Sequence, residues 1–232
     1  MKLKIINPAI GISDSDINSM RTYLTRFLRP ETVIEFENIS HGFPSVETEA
    51  QGIINGSEAL KLVRKAQGEG YQGIFINCFD DPGVVAAREV SDIPVLGPYE
   101  PSVLLASMLS DRVAVISTDE YGVICEERKK RIHRTENRIY KIVNVGLTVL
   151  ELTDHDRILN KLYQCCDKLA SEQVGAVVLG CTGMNRIVDA LTTSLQKNGI
   201  DIQIVEPLRI GVTTLEYLLH TGYKNMIHST KI

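Results

Sequence analysis

The sequence predicts an α/β fold of two pseudo-symmetric lobes, each a mostly parallel sheet flanked by helices. Three observations predict it. Short apolar runs alternate with amphipathic stretches along the chain. Several runs, such as Val113-Ala-Val-Ile and Ala176-Val-Val-Leu, are continuous and β-branched, as in strands covered by helices on both faces. A strand, cysteine, turn and helix follow one another twice, at Gly73-Ile-Phe-Ile-Asn-Cys78 and at Gly175-Ala-Val-Val-Leu-Gly-Cys181.

The elements follow in order. A strand is expected at Leu3–Asn7, stopped by Pro8, and a helical pattern near 14–28. Strands at Val33–Ile39 and Gly73–Asn77 bracket a helical pattern near 48–68. A short helix near 83–91 leads into a strand at Ile93–Leu96. Next come a helix near 101–109, a strand at Val113–Ser117, a helix near 120–133 and a strand at Lys141–Gly146. A helix near 155–171, a strand at Ala176–Gly180, a helix near 184–197, a strand at Ile202–Val205 and a helix near 208–221 complete the chain. Eight strands could fit a barrel, but the doubled cysteine unit favours two lobes. The crossings between them are expected at Gly97-Pro98-Tyr99-Glu100-Pro101 and at Glu206-Pro207.

The 232 residues suffice for such a fold, and a hydrophobic fraction of 44% with 23% charged residues is that of an ordinary globular chain. The net charge of −4 gives no basic footprint for nucleic acid or a membrane surface. The opening apolar run stops at Asn7-Pro8, too short for a signal peptide, and no run is long enough to span a bilayer. A cytoplasmic protein is the expectation. Five cysteines (78, 125, 165, 166 and 181), an odd number, argue against a disulfide scaffold. The five histidines (41, 133, 155, 220 and 228) show no metal-ligand spacing with them.

Cys78 and Cys181 carry the chemistry. Each is expected at the carboxyl end of a parallel strand, where binding sites of open sheets lie. Each precedes a turn and a helix start, whose N–H groups stabilise a thiolate. Two such thiols, one per lobe, suit the removal and return of a proton on opposite faces of one carbon beside a carbonyl. Backbone N–H groups of Phe79–Gly83 and Thr182–Gly183 would hold the developing oxyanion. The competing reading of either cysteine alone is a small buried core residue. Packing also accounts for at least one of Cys165 and Cys166, which are helix neighbours about 100° apart.

At these residues the sequence resembles the aspartate/glutamate racemase superfamily, and within it the hydantoin racemase branch that includes allantoin racemases. Cys78-Phe-Asp-Asp-Pro-Gly83 resembles that branch's Cys-Phe-Gly-Asp-Pro-Gly signature. Ala86-Ala87-Arg88-Glu89 and Ile93-Pro94-Val95-Leu96-Gly97 continue it. Val178-Leu-Gly-Cys-Thr-Gly-Met184 is similar to the second cysteine motif. Asn7-Pro8 and Pro44-Ser45-Val46-Glu47 also fit. The resemblance implies two lobes around a cleft holding the active site, with residues 1–97 plus 208–232 in one and 98–207 inserted as the other. It implies Cys78 and Cys181 as the two bases and no metal, pyridoxal phosphate or nucleotide. Asn7, Pro44, Phe79, Asp80, Thr118, Thr182 and Gly183 would surround a small-molecule substrate, in a homo-oligomer. The sequence departs from the family pattern at Ala9-Ile10-Gly11, at Asp80 in place of glycine, and at Gly97-Pro98-Tyr99-Glu100-Pro101.

Several residues have two readings. Asp81 is expected to cap the helix beginning near Pro82, whereas Asp80 either caps or reads a positive group on the substrate. Thr118 either faces the site or caps the next helix. His41 reads as a surface-loop histidine, and the basic run Arg128–Arg134 as a solvated helix face. Gly11, Gly52 and Gly56 form no phosphate-binding fingerprint. Two other functions stay open: a racemase of free amino acids, and a non-catalytic binder of small molecules.

Overall fold

The computed structural model describes residues 1–226, so His228 and the end of the expected first lobe lie outside the described residues. All eight expected strands and eight expected helices are present. In the first half they are β1 (Lys2–Asn7), α1 (Asp14–Thr25), β2 (Val33–Asn38), α2 (Glu49–Gly68), β3 (Gly73–Ile76), α3 (Val84–Val90), β4 (Val95–Leu96) and α4 (Tyr99–Leu109). In the second half they are β5 (Val113–Ser117), α5 (Glu120–Ile132), β6 (Lys141–Asn144), α6 (His155–Ser171), β7 (Ala176–Leu179), α7 (Val188–Lys197), β8 (Gln203–Val205) and α8 (Pro207–His220). Two 3-10 segments, Leu150–Thr153 and Thr182–Ile187, were not expected; the second makes the helix after Cys181 start tighter than an α-turn.

The strands form two parallel four-stranded sheets, ordered β2-β1-β3-β4 and β6-β5-β7-β8. The second order repeats the first, strand for strand, so the pseudo-symmetry is topological. The chain divides into two compact units. One is Met1–Pro98 with the chain from Leu208 onward, and the other is Tyr99–Pro207.

Side-chain alternation fills the layers. On one face of the first sheet, Leu3, Ile5, Ile34 and Phe75 pack with Met20 and Leu24 of α1 and with Leu208, Val212 and Leu215 of α8. On the other, Ile6, Ile74 and Ile76 pack with Ala59 and Val63 of α2 and Val84 and Ala87 of α3. In the second sheet Ala114, Ile116, Val177 and Leu179 face Ile158 and Leu162 of α6 and Leu191 and Leu195 of α7. Each large aliphatic side chain buried in this way stabilises the fold by about 1.5–3 kcal/mol. Ser13, Thr48, Asp119 and Asp154 cap α1, α2, α5 and α6, each accepting from a backbone N–H.

β4 is shorter than the expected Ile93–Leu96. Pro94 has no N–H for the ladder, although its carbonyl accepts from Ile74 N at 2.9 Å. The basic run is corrected at one position. Lys129 is buried, its Nζ 2.9 Å from Glu126 Oε1 and 4.7 Å from the centre of the Tyr99 ring, while Arg128, Arg131 and Arg134 are exposed. Its helical position turns it inward onto α4.

Candidate active site

Cys78 stands just past the end of β3. The ladder continues through Asn77, whose N–H donates to Ile6 O at 2.8 Å, and then breaks as Cys78 N turns back to Ile76 O. Asp81 N donates to Cys78 O at 2.9 Å and Val84 N to Asp81 O at 3.1 Å, closing a turn around the cysteine. Asp81 has a φ of 50° and Gly83 one of 78°, both left-handed. Aspartate tolerates that region and glycine occupies it without cost. The helix therefore begins at Val84 rather than near Pro82, with Gly83 at its cap and no side-chain cap bond. The expected capping role of Asp81 is thereby corrected: its carboxylate lies against Gly97, where any Cβ would collide with it. Cys78, Asp80 and Asp81 are half-buried and Phe79 is buried.

The three strand ends beside Cys78 are joined by asparagines. Asn77 Nδ2 donates to Asn7 Oδ1, Asn7 Nδ2 to Asn38 Oδ1, and Asn38 Nδ2 to Ile12 O, each at 2.8 Å. Asn7 is fully buried, so its amide is spent on its neighbouring strands. Pro44 is exposed in the loop after β2, as is His41, whose Nδ1 is 2.9 Å from Ser40 Oγ.

Cys181 occupies the same place in the second sheet. Gly180 N donates to Ile116 O at 2.7 Å, the counterpart of the Asn77–Ile6 bond. Cys181 is half-buried, and its Sγ accepts the N–H of Gly183 at 3.4 Å. A backbone donor on sulfur favours the thiolate. Thr182 is buried and Gly183 exposed. Thr118, at the end of the neighbouring strand β5, is buried and accepts Leu147 N through its carbonyl at 3.1 Å. The capping role weighed for Thr118 falls to Asp119, whose carboxylate accepts from Gly122 N at 2.8 Å. Asn7 and Cys78–Asp80 thus share the carboxyl edge of one sheet, and Thr118 and Cys181–Gly183 that of the other.

The remaining thiols differ. Burial pushes Cys166 up to about 12. Burial raises Cys165 too, against the opposing pull of Lys161 and Lys168. Cys125 is buried in α5. Among the described residues no group of three or more His, Cys, Asp or Glu could hold a metal ion, and no helix is long and apolar enough to cross a membrane.

A sequence model of the Asp/Glu/Hydantoin racemase family matches residues 4–215. The chain belongs to this family. It is an isomerase, a racemase of the Asp/Glu/hydantoin group. Among its relatives is a hydantoin racemase of Rhizobium meliloti, 30% identical over 77% of this chain and 73% of that protein. Another, from Pseudomonas sp. (strain NS671), is 27% identical over 97% of this chain and 88% of that protein. The solved structure of an allantoin racemase from Klebsiella pneumoniae superposes with a TM-score of 0.88 at 26% identity, covering 98% of this chain and 91% of that one.

Within this racemase, sequence reasoning missed Asn38, Asn77, Asn55 and Gly56. Asn38 and Asn77 end strands, and only the register of parallel pairing brings them to Asn7. The available signal for the other two was an Asn-Gly pair inside a helical pattern, an unfavourable composition that calls for a packing reason.

Proposed function

We propose that this racemase inverts a carbon beside a carbonyl in a hydantoin-like or allantoin-like compound, with Cys78 and Cys181 as its two acid/base groups. One observation carries the proposal. Each cysteine follows the third strand in the order of its own sheet, two residues past the strand end, with the same strand-end hydrogen bond beneath it. In the reaction one thiolate takes the proton from the carbon, and the electron pair delocalises onto the carbonyl oxygen. The other thiol then gives its proton to the opposite face. The product is the mirror-image carbon, and the two sulfurs have exchanged protonation states. A ring or amide carbonyl stabilises the carbanion better than a free carboxylate does, so two thiols suffice. The similarity to hydantoin and allantoin racemases supports this substrate class. Pro44, Phe79, Asp80, Thr118, Thr182 and Gly183 are proposed to surround the substrate, with Asn7 holding the strand end that carries Cys78.

The test is solvent deuterium exchange on single enantiomers of a 5-substituted hydantoin, allantoin and free amino acids, followed by chiral chromatography. Wild-type protein is expected to interconvert the cyclic ureides with deuterium uptake, and Cys78→Ser and Cys181→Ser to abolish interconversion. Full activity in either variant sinks the two-thiol mechanism, and turnover of free amino acids alone sinks the substrate assignment.

A further inference from the structure

We infer that Asn55 and Gly56, neighbours inside α2, are positioning residues that hold the three loops at the carboxyl edge of the first sheet, including the turn that carries Cys78. Asparagine and glycine are both poor in a helix interior. Here each does what no better helix former could. Asn55 is fully buried. Its Oδ1 accepts Phe43 N at 2.9 Å, and its Nδ2 donates to Pro8 O at 2.8 Å and to Phe43 O at 3.1 Å. One carboxamide thus ties together the loop after β1 and the loop after β2, which are also linked by Ile10 N to Phe43 O at 3.1 Å. Gly42, with a φ of 130°, lies so close that any Cβ there would strike Asn55 Oδ1.

Gly56 secures the third loop by close approach. A Cβ on Gly56 would lie 3.0 Å from Gly83 N and 3.1 Å from Pro82 C, and one on Gly83 would lie 3.0 Å from Gly56 O. Both partners are backbone, so neither can swing aside. Pro82 and Gly83 close the turn that begins at Cys78, so the helix backbone sets where that turn sits. The two residues divide the work. Asn55 fixes the loops containing Asn7-Pro8 and Phe43-Pro44, and Gly56 fixes the thiol.

This inference rests on the proposed role of Cys78 and has a readout that does not need turnover. The full chain is labelled with iodoacetamide, with mass-spectrometric rates for Cys78 and Cys181 from pH 6 to 9, and steady-state kinetics are run in parallel. Gly56→Ala is expected to change the Cys78 alkylation rate or its pH midpoint by about threefold or more, with Cys181 unchanged. It should lower kcat about tenfold with little change in KM, since sub-ångström misplacement of a reacting group costs rate. Asn55→Asp keeps the acceptor for Phe43 N and loses both donors. It is expected to raise KM about tenfold with a smaller effect on kcat. If Asn55→Asp fails to fold, Gly56→Ala and Gly56→Ser decide. Cys78 labelling within experimental error of wild type in folded Gly56 variants overturns the inference, as does an equal change at both cysteines. Wild-type protein that racemises nothing would instead overturn the proposed function, and the labelling would still judge the positioning role.

Discussion

Asn77 Nδ2 donates to Asn7 Oδ1 at 2.8 Å, and the direction of that bond is fixed two strands away. A backbone carbonyl only accepts, so Ile12 O holds Asn38 with its Nδ2 outward and its Oδ1 toward Asn7. Asn7 must then offer Nδ2 to Asn38 and Oδ1 to Asn77. The row therefore runs one way, from the residue before Cys78 to the loop after β1. Asn77 Oδ1 is left buried with no hydrogen-bond partner among the described residues.

Breaking this row should cost stability. Asn7→Leu leaves Asn77 Nδ2 and Asn38 Oδ1 without each other's bridge, a loss of about 2–4 kcal/mol that a lowered urea midpoint would register. Asn7→Asp has the same shape but sets an oxygen against Asn38 Oδ1. It should also lower the midpoint at neutral pH, and an unchanged midpoint would refute the assigned direction.

The two glycines flanking Cys181 should behave oppositely. A Cβ on Gly180 would lie 2.8 Å from Ile116 O and from Ser117 Cα, both backbone. Gly180→Ala is therefore expected to destabilise the protein by about 1–3 kcal/mol. On Gly183 the same atom would meet Cys181 Sγ at 3.5 Å and Leu152 Cδ1 at 3.8 Å, ordinary contacts. Gly183→Ala should leave stability within about 0.5 kcal/mol, by thermal or urea denaturation.

Cys166 predicts a loss of stability in alkali. In the unfolded chain it ionises near the ordinary thiol value of 9.0, while burial holds its proton up to about 12 in the fold. Between those values the unfolded chain binds fewer protons than the native one, so its contribution to stability falls as pH rises from about 9 to 12 and is constant below. Urea midpoints measured at about pH 8 and pH 10.5 should differ by more in wild type than in Cys166→Ala. Equal differences would show that another group carries the effect.

Lys129 and Glu126 form an ion pair 2.9 Å apart with both side chains buried. Lys129→Met removes the cation of a buried ion pair and is expected to cost about 3–5 kcal/mol. Glu126→Gln added to Lys129→Met should recover part of that loss, because the buried carboxylate charge is removed together with its cation. A double variant no more stable than Lys129→Met would show that the cost is packing rather than charge. Calorimetric Tm values of the three proteins make the comparison.

Much of the fold was legible because its signals are local. A buried parallel strand announces itself by a continuous β-branched run, and Val113–Ser117 was read to the residue. Boundaries that depend on turn geometry were less legible. The cap of α3 is Gly83 rather than the expected Asp81, because Asp81 and Gly83 both turn left-handed, which a sequence pattern does not reveal. Lys129 sits in a run of basic residues like any solvated face and pairs with Glu126 three residues back on the same helix, and only tertiary packing buries that pair.

By itself, the sequence determined the two parallel sheets, the placement of Cys78 and Cys181 just past strand ends, and the resemblance that their motifs carry. The strand runs and the cysteine motifs are each written in a few consecutive residues, and their alternation with helical patterns points to parallel sheets before any pairing is known. The tertiary structure decided what surrounds the first thiol. Parallel pairing in register brings Asn7, Asn38 and Asn77 into one row. The docking of α2 brings Asn55 and Gly56 against Pro8, Phe43 and Gly83. Those contacts join residues from 12 to 70 positions apart, and a hydrogen bond or a backbone approach at such separation exists only once the strands are paired and the helix is packed.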